Sequence, residues 1–275
     1  MPSPSAPQPD YGFDGPRGIA LLLLASAGSI GGAVWLHGYS RGDHTVANAA
    51  GSLILLLVPI ALLVVAADCL LLAGSLIWYS KIEKPRQAEH LLDLVPWRGD
   101  ERVLDVGCGR GLLLISAARR LTDGRAVGVD LWSGLQLSGN RPQAVLENAR
   151  RAGVAERVEI QDGDARSLPF ADASFDVVLS SLVLHNIPSQ TGRRQAVREI
   201  ARVLKPGGHV ALLDVRHTSD YVHVLCDCGL IDPRRQSAGW FLSVVFPLLS
   251  CGLMRFNRVT ARKPLLPQDT SMKHH

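Results

Sequence analysis

Three glycines and an acidic residue stand in this chain in an arrangement suited to a nucleotide-like ligand. The segment from Val103 reads VLDVGCGRG, an apolar stretch followed by glycine at positions 107, 109 and 111. Glycine has no Cβ, so such a turn lets a ligand approach the main chain closely. Asp130 ends the next apolar stretch, where a carboxylate accepts hydrogen bonds from both ribose hydroxyls. The pattern predicts a site for a ribose-bearing cofactor.

The spacing of the glycines separates two kinds of cofactor. A dinucleotide fingerprint has the form G-x-G-x-x-G, whereas Leu112 occupies its third glycine position here and Gly111 comes one residue early. A nicotinamide cofactor is therefore disfavoured, although one glycine turn decides little by itself.

Four further segments follow the turn, and their order is informative. They are GVDL (128–131), QDGDARSLPF (161–170), FDVVLSSLVLHNI (175–187) and LKPGGHVALLD (204–214). Together with the turn they resemble the motifs of class I S-adenosylmethionine-dependent methyltransferases, most closely the small-molecule enzymes of the ubiquinone and menaquinone type. The resemblance covers about residues 87–263. It implies S-adenosyl-L-methionine as the cofactor.

The resemblance also implies which residues hold that cofactor. The glycine turn would cradle the methionine part, Asp130 would bind the ribose, and Asp164 would meet the adenine. The alternatives are that Asp164 caps a turn and that Ser180 only permits close packing. The full set of predicted cofactor-binding residues is Asp105, Gly107, Cys108, Gly109, Gly111, Asp130, Leu131, Asp164, Ala165 and Ser180.

Two histidines are the candidate catalytic residues. Methyl transfer from a sulfonium is an in-line displacement, so the protein must mainly align the acceptor and exclude water. A base helps when the acceptor is a hydroxyl or thiol, and histidine titrates in the right range. His185 follows the fourth predicted strand and His217 follows the fifth. A histidine chosen from sequence alone is more often structural than catalytic.

The connection after Asp130 is longer than a usual tight turn. It reads LWSGLQLSGN and ends at Asn140. One interpretation is that Trp132 stacks on adenine and that Gln136 or Asn140 contacts cofactor or acceptor. The other is an ordinary loop in which Asn140 caps the next helix.

Strands and helices alternate after Lys81, which predicts a doubly wound, Rossmann-like α/β sheet. The predicted helices are 87–95, 111–121, 141–152 and 192–204, and the predicted strands are 102–106, 126–129, 158–160, 176–179 and 210–213. The resemblance implies seven strands in all, with 256–262 antiparallel.

Two long apolar stretches precede this α/β domain. Residues 18–36 carry no charge, and residues 45–80 are apolar throughout except for Asp68. Each is long enough for a transmembrane helix. We expect a kink at Pro59 and a hydrogen bond from Asp68 to the neighbouring helix.

The basic residues set the expected orientation. Arg17 and the cluster at 81–86 flank the hairpin on one side, so both termini are expected in the cytoplasm. The predicted organisation is a disordered leader (1–17), a transmembrane hairpin (18–80), a methyltransferase domain (81–265) and a tail (266–275).

Composition restricts the partners. The net charge of +4 comes from scattered residues, which argues against nucleic-acid binding. The five cysteines are an odd number without paired CxxC spacing, so we expect neither a disulfide framework nor a metal site. Cys226 and Cys228 alternate along a helix and are interpreted as small buried side chains.

These features predict a membrane-anchored methyltransferase whose partners are the lipid bilayer and a small lipophilic acceptor with an O, S or C nucleophile. Residues 240–254 are apolar and too short to span a bilayer, so they form either a core strand and loop or an apolar lip beside the site. Two alternatives stay open: a non-catalytic S-adenosylmethionine-binding membrane module and a membrane-tethered nicotinamide oxidoreductase.

Overall fold

A computed structural model of the chain describes most of its length. The described residues are 8–12, 14–41, 49–134, 137–239 and 254–265, together with 242, 244, 247, 248 and 252. Gln136 and most of the apolar segment 240–254 lie outside them, so the predictions made for these positions stay predictions.

Two long apolar helices form a hairpin at the N-terminal side. α1 spans Pro16–Arg41 and α2 spans Ala49–Trp78, with Pro59 inside it. Both are long and apolar enough to cross a membrane, judged by length and composition alone. α1 continues to Arg41, beyond the predicted end at residue 36. Asp68 is exposed on α2, and no hydrogen bond joins it to α1 among the described residues, so that expectation stays a prediction.

The second helix runs on into the α/β domain without a break. A π-helical turn at Tyr79–Glu83 joins α2 to α3 (Lys84–Leu92). Tyr79, Leu91 and Leu92 are buried in the same apolar cluster as Val103 of the sheet. The end of the hairpin is therefore packed directly on the domain.

The domain is built on a mixed sheet of seven strands in the order β3-β2-β1-β4-β5-β7-β6, and only β7 runs antiparallel to its two neighbours. Helices cover both faces, as the alternation of elements predicted. The strands are β1 Arg102–Val106, β2 Arg125–Asp130, β3 Val158–Asp162, β4 Phe175–Ser181, β5 Leu204–Asp214, β6 Ile231–Ser237 and β7 Asn257–Arg262. The remaining helices are α4 Leu112–Ala118, α5 Pro142–Arg151, α6 Gln190–Val203 and α7 Thr218–Asp227.

The predicted disordered leader is wrong for the part of it that the structure describes. Residues 8–12, 14 and 15, here called the N-terminal strap, lie against the domain. Asp10 exchanges hydrogen bonds with Asn148 of α5, at 2.9 and 2.8 Å, and Asp14 forms a β-bridge with Leu137. Lys84 binds the Asp14 carboxylate at 2.7 Å. Charge pairs and main-chain contacts with distant parts of the chain hold the strap in place. Because the strap lacks apolar periodicity of its own, its composition did not predict an ordered segment.

Candidate functional site

A cavity of about 650 Å³ opens at the carboxyl ends of β1, β2 and β4. This edge is where parallel α/β sheets bind their ligands, and the volume suits a small molecule. Most of the predicted cofactor-binding residues line it: Asp105, Gly107, Cys108, Gly109, Asp130, Leu131, Asp164 and Ala165. Gly111 and Ser180 do not.

The glycine turn has the geometry that its sequence predicted. Gly107, Gly109 and Gly111 all have positive φ, and Gly111 is the left-handed residue from which α4 begins. A Cβ on Gly107 would lie 2.3 Å from the Val183 side chain. The turn therefore needs glycine for both its backbone conformation and its close packing.

Asp105 is a buried acid in the wall of the cavity. Its side chain ends in two oxygens that are shielded from solvent and make no hydrogen bond with the described residues. Burial, together with the nearby charge of Asp130, raises the pKa of Asp105 to about 7. An unpaired buried carboxyl in a cavity wall suits a cationic group such as the amino group of a methionine moiety.

Asp130 is held in place by three donors. Its carboxylate accepts hydrogen bonds from the main chain of Gly109 at 2.8 Å and of Trp132 at 2.7 Å, and from the Asn140 side chain at 3.1 Å. These bonds fix the carboxylate at the cavity wall, where a ribose would meet it.

Two residues of the long loop after Asp130, Trp132 and Asn140, have different positions relative to the cavity. Asn140 lines the cavity and does not cap the following helix, since Arg141 is the cap residue of α5. Trp132 is not in the cavity wall, and its indole N–H donates to Asp162 at 2.6 Å. The structure thus gives no support to Trp132 as a stacking residue.

Asp164 lies in the wall beyond β3. Its carboxylate accepts hydrogen bonds from the main chain and the guanidinium of Arg166, and that guanidinium lowers the pKa of Asp164. Asp164 therefore does shape a turn, as one alternative held, while Asp164, Ala165 and Arg166 all line the cavity.

Ser180 is not beside the cavity. Its hydroxyl is buried and donates to the Val106 carbonyl at 2.8 Å, so it joins two strands instead. The neighbouring residues Ser181, Leu182 and Val183 line the cavity. The prediction was wrong by one residue because successive side chains of a strand face opposite sides.

His185 is the histidine that the fold brings to the cavity. Its Nδ1 donates to Asp214 at 2.5 Å, and the His185 main-chain N–H donates to the same carboxylate at 3.0 Å. Tyr221 and the main chain of Val215 also donate to Asp214, which is buried. With Nδ1–H bound to the carboxylate, Nε2 is the basic nitrogen of the ring.

His217 is not part of this arrangement. It begins α7 with a left-handed backbone and is absent from the cavity wall. Burial and the charge of Arg193 lower its pKa. The structure therefore separates the two candidate bases.

Sequence reasoning missed the contribution of the strap. Arg110, in the glycine turn, binds the Asp10 carboxylate at 2.9 Å and the Asp10 carbonyl at 2.8 Å. These bonds hold Tyr11 and Asp14 in the cavity wall. Nothing in the sequence near residue 10 pairs it with residue 110, so no local pattern signals the contact.

Comparison with known proteins agrees with this site. Residues 104–212 match the family described as "Methyltransferase domain". The 27-O-demethylrifamycin SV methyltransferase of Amycolatopsis mediterranei is 37% identical over 129 residues, covering 47% of this chain and 44% of the relative. The demethylmenaquinone methyltransferase of Symbiobacterium thermophilum is 35% identical over 119 residues, covering 43% and 44%. The chain thus spans less than half the length of these relatives.

A solved structure shows the same fold. The geranyl diphosphate C-methyltransferase of Streptomyces coelicolor A3(2), in complex with S-adenosyl-L-homocysteine, superposes with a TM-score of 0.52 at 17% identity, covering 66% of this chain and 79% of that one. Residues 104–212 thus carry a methyltransferase domain, and the α/β domain has the fold of an S-adenosyl-L-homocysteine-bound methyltransferase, which supports S-adenosyl-L-methionine as the cofactor.

Proposed function

We propose that the chain is a membrane-anchored enzyme that moves the methyl group of S-adenosylmethionine to a hydroxyl of a small lipophilic acceptor. The observation that carries this is the contact between the buried Asp214 and His185, which lies in the wall of the cavity that Asp105 and Asp130 also line. One cavity then holds groups for the cofactor and a base for the acceptor.

The chain's own residues have distinct parts in the reaction. Asp105 would bind the cofactor's amino group, and Asp130 would bind its ribose. His185 Nε2 would take the acceptor's proton as the new O–CH₃ bond forms and the S–CH₃ bond breaks, which leaves S-adenosylhomocysteine. Asp214 would stabilise the resulting imidazolium, because four donors already hold its carboxylate beside the ring.

Membrane anchoring is supported by the surface of the hairpin. Only 17% of the apolar window of α1 and 6% of that of α2 are buried inside the structure. The exposed side chains include Leu21, Leu24, Ile54 and Leu71, each at least 59% exposed. A continuous apolar surface of this kind is stable in a bilayer and unfavourable in water.

The acceptor class is supported by the relatives and by the cavity. The two relatives are named for a demethylrifamycin and for demethylmenaquinone, which supports a small organic acceptor. Apolar side chains such as Leu113, Leu137 and Met254 make up part of the wall. Apolar walls with a few polar groups are typical of sites that bind apolar molecules.

The test is methyl transfer by the purified full-length protein. Labelled S-adenosylmethionine is supplied with either a total membrane-lipid extract or an aqueous metabolite extract. We expect label in the lipid fraction. Label confined to water-soluble products would exclude the lipophilic acceptor, and no transfer despite S-adenosylhomocysteine binding would favour a non-catalytic binding module.

Two histidine variants test the base. His185→Ala is expected to lower the rate about a hundredfold or more, and the loss should shrink as pH rises because the acceptor then ionises unaided. His217→Ala is the matched control and should keep the wild-type rate, since His217 is not in the cavity wall. Equal effects of the two substitutions would argue against a base at His185.

A further inference from the structure

The cavity extends past the cofactor-binding residues to the ends of the two apolar helices. Its wall there includes Gly15 and Gly18 at the start of α1 and Leu76 in the last turn of α2. Tyr79 and Phe256 continue this wall, with ring centroids 4.8 Å apart. The space therefore connects the α/β domain with the base of the hairpin.

The connection lies at the level expected for a bilayer surface. Arg17 directly precedes Gly18, and Lys81 and Lys84 follow the end of α2. Trp78 stands between Leu76 and these lysines. Basic residues and tryptophan mark membrane interfaces, so Gly18 and Leu76 stand just on the membrane side of that level.

Glycine leaves this wall open on the α1 side. Gly15 and Gly18 are exposed, and a Cβ built on either of them meets no heavy atom within 4 Å. The wall at the start of α1 therefore has open space beside both glycines, and a larger side chain at either position would occupy it.

The two ends of this space differ in chemistry. His185 and the buried Asp214 give the inner part a proton acceptor, while Leu76, Tyr79 and Phe256 give the outer part apolar walls. A ligand that occupies both parts has a polar, proton-bearing head and an apolar remainder.

We propose that the gap between the first turn of α1 and the last turn of α2 is a lateral entrance from the bilayer. The acceptor is an amphiphile whose apolar tail stays between these helix ends while its head reaches His185. The inference rests on the proposed function, which gives His185 its role as the base for the acceptor's head. The entrance itself can be tested without methyl transfer.

The test uses a photoreactive amphiphile and a steric block. The full-length protein is placed in phosphatidylcholine vesicles that contain a long-chain alcohol with a diazirine beside its hydroxyl. After illumination, mass spectrometry locates the crosslinks. We expect them on the tryptic peptide that contains His185, which belongs to the domain and not to the hairpin.

Gly18→Phe should lower these crosslinks about tenfold or more, because the ring fills the entrance. Gly28→Phe is the matched control: Gly28 is also an α1 glycine with nothing within 4 Å of a built Cβ, but it is not in the cavity wall. It should leave the crosslinks unchanged. Unaltered S-adenosylhomocysteine affinity in both variants shows that the domain is intact.

Two results would overturn the entrance: wild-type crosslinks confined to α1 and α2, or equal crosslinking of the His185 peptide in all three proteins. Neither result depends on methyl transfer. A protein that takes up the probe but transfers no methyl group would instead contradict the proposed function, so the two failures are distinguishable.

Discussion

Asp105 combines a proposed role in cofactor binding with a cost in stability. Both carboxylate oxygens are buried without a partner among the described residues, and burial raises the pKa of Asp105 to about 7. Above that pH the empty protein holds an unpaired buried charge, which is unfavourable. A bound ammonium group would relieve it.

Cofactor affinity should therefore depend on pH. Below about pH 7 the carboxyl of the empty protein carries a proton, which must leave before the carboxylate pairs with an ammonium group. We expect the affinity for S-adenosylhomocysteine to rise from about pH 6 to about pH 8, with proton release at the lower pH. Calorimetry in buffers of different ionisation enthalpy measures both.

Asp105→Asn should weaken binding and remove this pH dependence. In the wild type the pKa of Asp105 is raised above the ordinary value of 3.8, so the folded state loses stability as pH rises from about 4 to about 7. The variant should consequently melt at a higher temperature than the wild type at pH 8, and less so at pH 5. Glu101→Gln, which changes a buried acid outside the cavity wall, is the control for binding.

At this scale the sequence predicted residue types better than side-chain directions. The turn after β1 and Asp130 were found because glycine and a strand-end acid have specific uses. Ser180 was misplaced, because an apolar strand buried on both faces gives no alternation to show which side meets the ligand. His185 and His217 both follow a predicted strand, and the structure separates them because His185 lies in the cavity wall and contacts the buried Asp214, whereas His217 is not in that wall.

Among the elements, the N-terminal strap forms part of the cavity wall beside the glycine turn. Arg110 binds Asp10 through its guanidinium, and the charge of Arg110 with the Gly12 main-chain N–H lowers the pKa of Asp10. Tyr11 and Asp14 of the strap lie in the cavity wall. We therefore predict that cofactor exchange requires the strap to move.

Arg110→Gln should speed the release of S-adenosylhomocysteine. Because Asp10 is half exposed, we expect only about a tenfold faster release, and less difference at high salt. Stopped-flow displacement measures the rate. Arg120→Gln is the matched control, since Arg120 also forms ion pairs, with Glu89 and Asp93, but outside the cavity wall. Equal release rates in wild type and Arg110→Gln would mean that the strap does not limit exchange.

The elements that could be predicted were those with apolar periodicity. β1 was placed at its exact bounds, and the other predicted strands fall within the observed ones or start one residue early. β6 was not found, because all seven of its residues are exposed and its sequence, IDPRRQS, has no apolar pattern. The strap was missed for a similar reason, as its order comes from contacts with residues far along the chain.

For the whole molecule, we predict that the α/β domain lies on the cytoplasmic side of the membrane. Cys226 lies on α7 and is exposed, so its interpretation as a buried side chain was wrong. If both termini are cytoplasmic, an impermeant maleimide should label Cys226 in spheroplasts only after permeabilisation. Cys226→Ser assigns the signal. Labelling before permeabilisation would reverse the orientation.

The unbroken run from α2 through the π-helical turn into α3 has a mechanical consequence. If the hairpin spans a bilayer as proposed, this continuous connection would limit the height and tilt of the domain above the bilayer surface. The active site would then stay within a narrow layer next to the bilayer surface. The rate of encounter would then depend on the number of acceptor molecules per unit area of bilayer and on their lateral diffusion. Diluting the bilayer with inert lipid would therefore slow the reaction, whereas diluting the vesicle suspension would not.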